Sequence, residues 1–380
     1  MAESRRARGS DGGRETVASA TSRVVEPYNG DVIPSLILAL SLLTPIPRWE
    51  THGPPYPILD ALVTAPTGTI YAASRGSLDG LSAVFRSVDG DHDWEMLAQA
   101  PSGETIRQIA IDPTGSERML ALTISDLDDV RVYRSNDGGE TWRLTRTHLA
   151  TTGTERIFFD PTQSDTAFFV SYGLLRAIDD GPWTEVGIAI GARSAWSSSD
   201  GGLFWTREFC YHIPCYPLDE RFRSLFVSND AGRTVVDETF DAPCLALESV
   251  AYADALTAYG AGLDCPDLLR STDGGRTWES WDPSLDLRSL LHDGVERRIK
   301  QLVVDPRRPA TLYVVATRVE GPGDGEILVS LDAGESWGDF DGPDGLSVTA
   351  VALDASDELV VGTTNGVFSF VNRTRLLPPR

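Results

Sequence analysis

The chain has 380 residues, with 33 basic and 56 acidic side chains and a formal net charge of −23. So acidic a body repels phosphate backbones and anionic headgroups, which excludes nucleic acid and the membrane surface as expected partners. No apolar run reaches the roughly 20 residues of a membrane-spanning helix.

Residues 1–31 hold five Arg and five acids among Ser and Gly, with few apolar side chains. They are expected to be disordered, so the charge excess belongs to the remainder. Residues 32–46 contain the apolar run Ile33 to Leu43. Its length suits the core of a signal peptide. Two readings stay open: an export signal with a start near Val24 or Val32, or a short apolar element packed on the following domain. Export would place the protein in the periplasm, in the cell envelope or outside the cell.

From residue 47 to 380 the sequence repeats itself. Arg134-Ser135-Asn136-Asp137-Gly138-Gly139-Glu140-Thr141-Trp142 returns as Arg270-Ser271-Thr272-Asp273-Gly274-Gly275-Arg276-Thr277-Trp278. Weaker copies surround Asp89, Asp179, Asp230 and Asp332. Spacings of about 40–50 residues with short flanking strands are those of propeller blades. Each copy reads as a hairpin turn. The Asp carboxylate accepts backbone N–H groups, Gly takes the positive φ angles, and Trp enters the next strand as core. Only one carboxylate recurs, too few for a calcium loop, so no metal and no cofactor is expected.

The string Ser-x-Asp-x-Gly-x-Thr-Trp resembles the Asp-box, or bacterial neuraminidase repeat. This repeat occurs in sialidases, xyloglucan-cleaving glycosidases, sortilin-type receptors and the photosystem II assembly factor family. The resemblance covers roughly Pro57 to Asn372. It implies a box in the turn between the two outer strands of each blade, away from the ligand face. It therefore speaks to fold and not to function.

Upstream of the boxes lie apolar strands ending in Asp-Pro. Ile106-Arg107-Gln108-Ile109-Ala110-Ile111-Asp112-Pro113 matches Ile299-Lys300-Gln301-Leu302-Val303-Val304-Asp305-Pro306. These are expected inner strands, and with a second strand and the box hairpin they make four per blade. Six boxes give six blades, and Val348 to Val371 gives three strands of a seventh. Pro47-Arg48-Trp49-Glu50 resembles the strand that follows a box and is expected to supply the fourth, covering an open edge. The expected fold is all-β: a seven-bladed propeller of four-stranded antiparallel blades, closed by an N-terminal strand, and a monomer.

Four cysteines, Cys210, Cys215, Cys244 and Cys265, lie in one window. Three pairings are possible; Cys210–Cys215 with Cys244–Cys265 is the expected one. Zinc is the rival, since His212 sits between Cys210 and Cys215, but the spacing fits no common zinc motif.

Functional residues concentrate on loops held by a rigid scaffold. On the box-free face, insertions are expected at residues 74–83, 124–131, 206–223, 282–297 and 317–326. The cysteine loop, with Tyr211, His212, Tyr216 and Arg221, suits contact with a protein or a glycan. Aligned inner strands also bring Asp60, Arg107, Glu155, Arg193, Glu248, Lys300 and Thr349 to one level. Their signs alternate until the neutral last blade. Either they pair as a plug, as buried charges must, or they form a polar ligand site. No nucleophile elbow, zinc-protease helix or phosphate loop is present, and the Arg-Ile-Pro signature of sialidases is missing. The expectation is a non-catalytic propeller binding a protein partner, with a glycosidase or a carbohydrate-binding module as the alternative.

Overall fold

The computed structural model describes residues 48–371, apart from 52, 55, 75–80, 89–92, 116, 150–154, 172, 187–191, 210–221, 240–241, 244–246, 263–267, 282–296, 319–324 and 357. Segments 1–31 and 32–46, Asp89, all four cysteines, and Tyr211, His212, Tyr216 and Arg221 lie outside the described residues.

Every regular element described is a strand, and the strands form seven four-stranded antiparallel sheets. Their first strands are Ile58–Thr64, Glu104–Ile111, Arg156–Phe159, Ala192–Ser197, Ser249–Tyr252, Arg297–Asp305 and Val348–Leu353. Six sheets run in chain order from the first strand outward. The seventh takes its outer strand from the start of the domain. Arg48–Thr51 pairs antiparallel with Gly366–Val371, Trp49 opposite Phe370. This closes the ring as the sequence predicts, and the free edge of the last blade is covered.

A hydrophobic cluster fills each gap between blades, and each has a place for the aromatic side chain of an outer strand. Trp94, Trp142, Trp183, Trp278, Trp337 and Trp49 occupy six of these places. Between the third and fourth blades, where the repeat has lost its Trp, Val235 stands instead. The Trp of the motif is thus the residue that joins one blade to the one before it. Trp278 is buried and packs edge-on to Trp196, ring centroids 6.1 Å apart.

The repeated turns connect third and fourth strands. At Asp137, the carboxylate accepts the Ser135 hydroxyl at 2.7 Å and the Thr141 N–H at 2.9 Å, while the Gly139 N–H donates to Ser135 Oγ at 2.9 Å. Asp230, Asp273 and Asp332 repeat the pattern. The Trp indoles close it: Trp142, Trp278 and Trp337 donate to the carbonyls of Gly139, Gly275 and Gly334. Gly275 has φ +99°, and a Cβ there would meet Tyr252 Oη at 2.7 Å, so only Gly fits.

Asp179 departs from the expectation. It occupies the corresponding turn, but its carboxylate accepts from Arg118 of the second blade at 3.0 Å. The turn is one residue short and has Ala177 where the others have Ser, so the carboxylate faces outward to a neighbour. The expected insertion at 124–131 is also absent: strands Met119–Ser125 and Asp129–Ser135 leave a three-residue turn. Ser125 Oγ accepts the N–H groups of Leu127 and Asp129, and Asp128 takes φ +61°.

Candidate functional site

An antiparallel meander puts the turns after first and third strands at one end of a blade, and all other connections at the opposite end. The inner strands therefore run from the box-free face toward the boxes. Their Asp residues close the inner turns. Asp112, Asp160 and Asp305 are fully buried and accept N–H groups two residues on, at 2.8–2.9 Å.

The register of the inner strands slips near the box-free end. It skips Arg107 in the second blade, Arg193 in the fourth, Lys300 in the sixth and Thr349 in the seventh. In the first blade it skips two residues, Leu59 and Asp60. A β-bulge re-aims the side chain of its extra residue. In the third and fifth blades no bulge is present, and Glu155 and Glu248 immediately precede the strand. The column found by alignment is thus a column of bulges and strand starts.

Arg107, Glu155, Glu248, Lys300 and Thr349 all line one cavity of about 460 Å³ between the inner strands. Asp60 and Arg193 occupy bulge positions, but their side chains lie outside the described ones. Seven is odd, so charges cannot alternate all the way round. The neutral Thr349 stands between Lys300 and Asp60, where a charge of either sign would have a like neighbour, and its hydroxyl donates to Gly362 O in its own blade.

The sequence reading missed the next column. Gln108, Arg156, Ser249, Gln301 and Ala350 also line the cavity. Gln108 Nε2 donates to Ile157 O at 2.9 Å and its Oε1 accepts the Ile157 N–H at 3.0 Å. Gln301 repeats this on Val351, both at 2.8 Å. The two glutamines thus stand in for an absent ladder between neighbouring blades. The signal was available in the matched strings around Gln108 and Gln301, at a position where the third blade has Arg156.

Burial pulls the Arg156 guanidinium below its ordinary range, with the Glu248 carboxylate acting the other way. The described liners therefore carry three cations, Arg107, Arg156 and Lys300, against two carboxylates. The described part of the wall is thus net positive in a chain of net charge −23. No aromatic side chain is among its described liners. The other mouth, about 590 Å³, is walled by Val63, Val303, Val351 and the inner turns of the first, sixth and seventh blades.

A second buried charge lies between the first two blades. Glu104 has its side chain almost wholly enclosed, bonds Arg131, and accepts Thr123 Oγ1 at 2.6 Å and Tyr133 Oη at 3.0 Å. Burial, then the Glu104 carboxylate, raise the Tyr133 phenol above its usual range. With every partner supplied from its own blade, this cluster holds the blade together. Among the described residues no group of three His, Cys, Asp or Glu is placed to hold a metal.

No protein-family model and no curated protein matches the chain. Solved structures do. A GH74 xyloglucanase from Xanthomonas campestris shares 17% identity at a TM-score of 0.59, over 85% of this chain and 53% of that one. The chain thus spans about half the length of that enzyme. YCF48 bound to D1 peptide shares 13% identity at a TM-score of 0.55, over 87% and 98%. Streptogramin B lyase shares 8% at 0.56, over 85% and 97%. At such identities these likenesses show what the sheets already show: the chain has the seven-bladed propeller fold that xyloglucan-cleaving and peptide-bound proteins share.

Proposed function

We propose that this chain is a non-catalytic, exported propeller of the Asp-box type that recognises a segment of a protein partner through the box-free mouth of its channel. The observation that carries the reading is the channel wall: charged side chains of both signs, placed by bulges and strand starts, in a strongly acidic protein. Polar groups on rigid strands fix the orientation of a polar ligand. A sugar ring presents C–H faces that stack on aromatic rings, and the described wall has none, which favours a peptide over a glycan. The peptide-bound YCF48 structure supports the same choice.

The second reading is a glycoside hydrolase, favoured by Glu155 and Glu248 on one cavity and by the likeness to the xyloglucanase. Such enzymes use paired carboxylates. One experiment separates the two. The purified chain is offered xyloglucan and sialyl oligosaccharides, and in parallel an array of peptides. The expected result is no sugar release, with peptide capture abolished by Lys300→Glu. Sugar release that Glu248→Gln abolishes would overturn the binding reading.

A further inference from the structure

The column after the bulge joins neighbouring blades at four of the seven boundaries, and in the first and seventh blades it holds Ala61 and Ala350, which have no group to make such a bond. Gln108 holds the third blade and Gln301 the seventh. Ser249 Oγ accepts the Leu302 N–H of the sixth at 3.0 Å, and Ser194 Oγ accepts the Leu247 N–H leading into the fifth at 3.3 Å. In the third blade the same column holds Arg156. There, among the described residues, no such link to the fourth blade is made. Among the described residues no hydrogen bond or ion pair of the Arg156 guanidinium is present, and the Glu248 carboxylate of the fifth blade favours its charged form.

The Arg156 side chain is half-buried and reaches the cavity. A glutamine here, as in the second and sixth blades, would gain a link. The chain has instead a planar fork of donors facing an open cavity. That fork matches a carboxylate or a phosphate in two parallel bonds. The carboxylates of Glu155 and Glu248 on the same wall choose between them, because they repel a doubly charged phosphate more than a singly charged carboxylate. Gln108 and Gln301 have spent their amides on neighbouring strands, which leaves recognition to the cations.

We propose that Arg156 is the anion-binding residue of the channel and that, with Arg107 and Lys300 beside it, it seats a carboxylate of a peptide segment. This rests on the peptide-binding reading above and names its ligand chemistry. The carboxylate belongs to an acidic side chain or to a chain terminus.

Calorimetric titration of the full chain with three alanine pentapeptides, at millimolar concentration, tests it. One, blocked at both ends, carries a central glutamate; one, blocked likewise, a central glutamine; and one, of alanine alone, is blocked at its N-terminus and ends in a free carboxylate. The glutamine peptide is expected not to bind, and whichever of the other two binds identifies the source. Arg156→Gln is expected to weaken that binding by about tenfold or more, while Arg156→Lys keeps part of it. Arg156→Gln should also melt at or above the wild-type temperature, since it restores a link between blades. Equal binding of the glutamine peptide, or unchanged binding by Arg156→Gln, would overturn the carboxylate assignment and leave the peptide reading standing. Failure of all three peptides on the wild type would overturn both. A lower melting temperature for Arg156→Gln would show that Arg156 supports the ring, and would overturn the assignment.

Discussion

The side-chain amide of Gln108 bonds both the N–H and the C=O of Ile157, at 3.0 and 2.9 Å, across the boundary between the second and third blades. Inner strands of neighbouring blades diverge, so their backbones cannot pair directly. A glutamine supplies one donor and one acceptor at the spacing of a peptide group. Gln108→Ala leaves both groups of Ile157 without these partners and is expected to cost about 1–3 kcal/mol. Gln301→Ala should cost a similar amount, and the two should add, since they share no partner. Urea denaturation of the single and double variants measures this.

The turn at Asp273 gives a second prediction. Its carboxylate accepts the Ser271 and Thr277 hydroxyls and the N–H groups of Arg276 and Thr277. Asp273→Ala should destabilise by about 1–3 kcal/mol and leave peptide binding unchanged. Lost binding at an unchanged melting temperature would contradict a purely structural turn.

The same turns set a pH dependence. The Thr141 hydroxyl and N–H hold the Asp137 carboxyl down at about 2, and the Thr234 N–H does the same for Asp230, also to about 2. A carboxyl whose folded pKa lies below its unfolded value contributes stability above the unfolded value. That contribution fades as pH falls toward the folded one. The melting temperature should therefore drop between about pH 4 and pH 2. Asp137→Asn should flatten part of that drop.

Closure of the ring depends on Trp49, which packs against Phe370 and Phe340 and donates to Asp341 O at 2.7 Å. Trp49→Ala should cost about 2–4 kcal/mol. Hydrogen exchange should then quicken first in Gly366–Val371, the strand it covers. Uniform exchange across the blades would contradict that placement.

The buried Glu104 tests a different kind of contact. Glu104→Gln removes the buried carboxylate that Arg131, Thr123 and Tyr133 share, leaving Arg131 with Asp129 at 3.6 Å, and should cost about 1–3 kcal/mol. Tyr133→Phe removes one donor of several and should cost less, about 1 kcal/mol. Equal losses would show that the charge is not what holds the cluster.

For the channel itself, a double-mutant cycle of Arg107→Met and Glu155→Gln should give a coupling above about 0.5 kcal/mol. Both residues line the one cavity, on neighbouring blades. No coupling would mean that each charge is compensated elsewhere.

The sequence by itself determined the ring. Turns on the Ser-x-Asp-x-Gly pattern, strict or degraded, mark a hairpin in six of the seven blades, and Asp-Pro turns mark three of the inner strands, because both signals are local. A carboxylate bonding N–H groups within five residues needs no distant partner. Even closure was legible, since Trp49 repeats the position that Trp142 and Trp278 hold after their turns. The charged column was legible as an alignment, and only the fold revealed it as a column of bulges, because a bulge depends on which residues the partner strand leaves unpaired. The roles of Gln108 and Arg156 lie entirely in the tertiary structure. Both read as ordinary polar residues in a strand, and what separates them is a partner on the next blade. Gln108 finds Ile157, 49 residues away along the chain, and Arg156, among the described residues, faces the cavity.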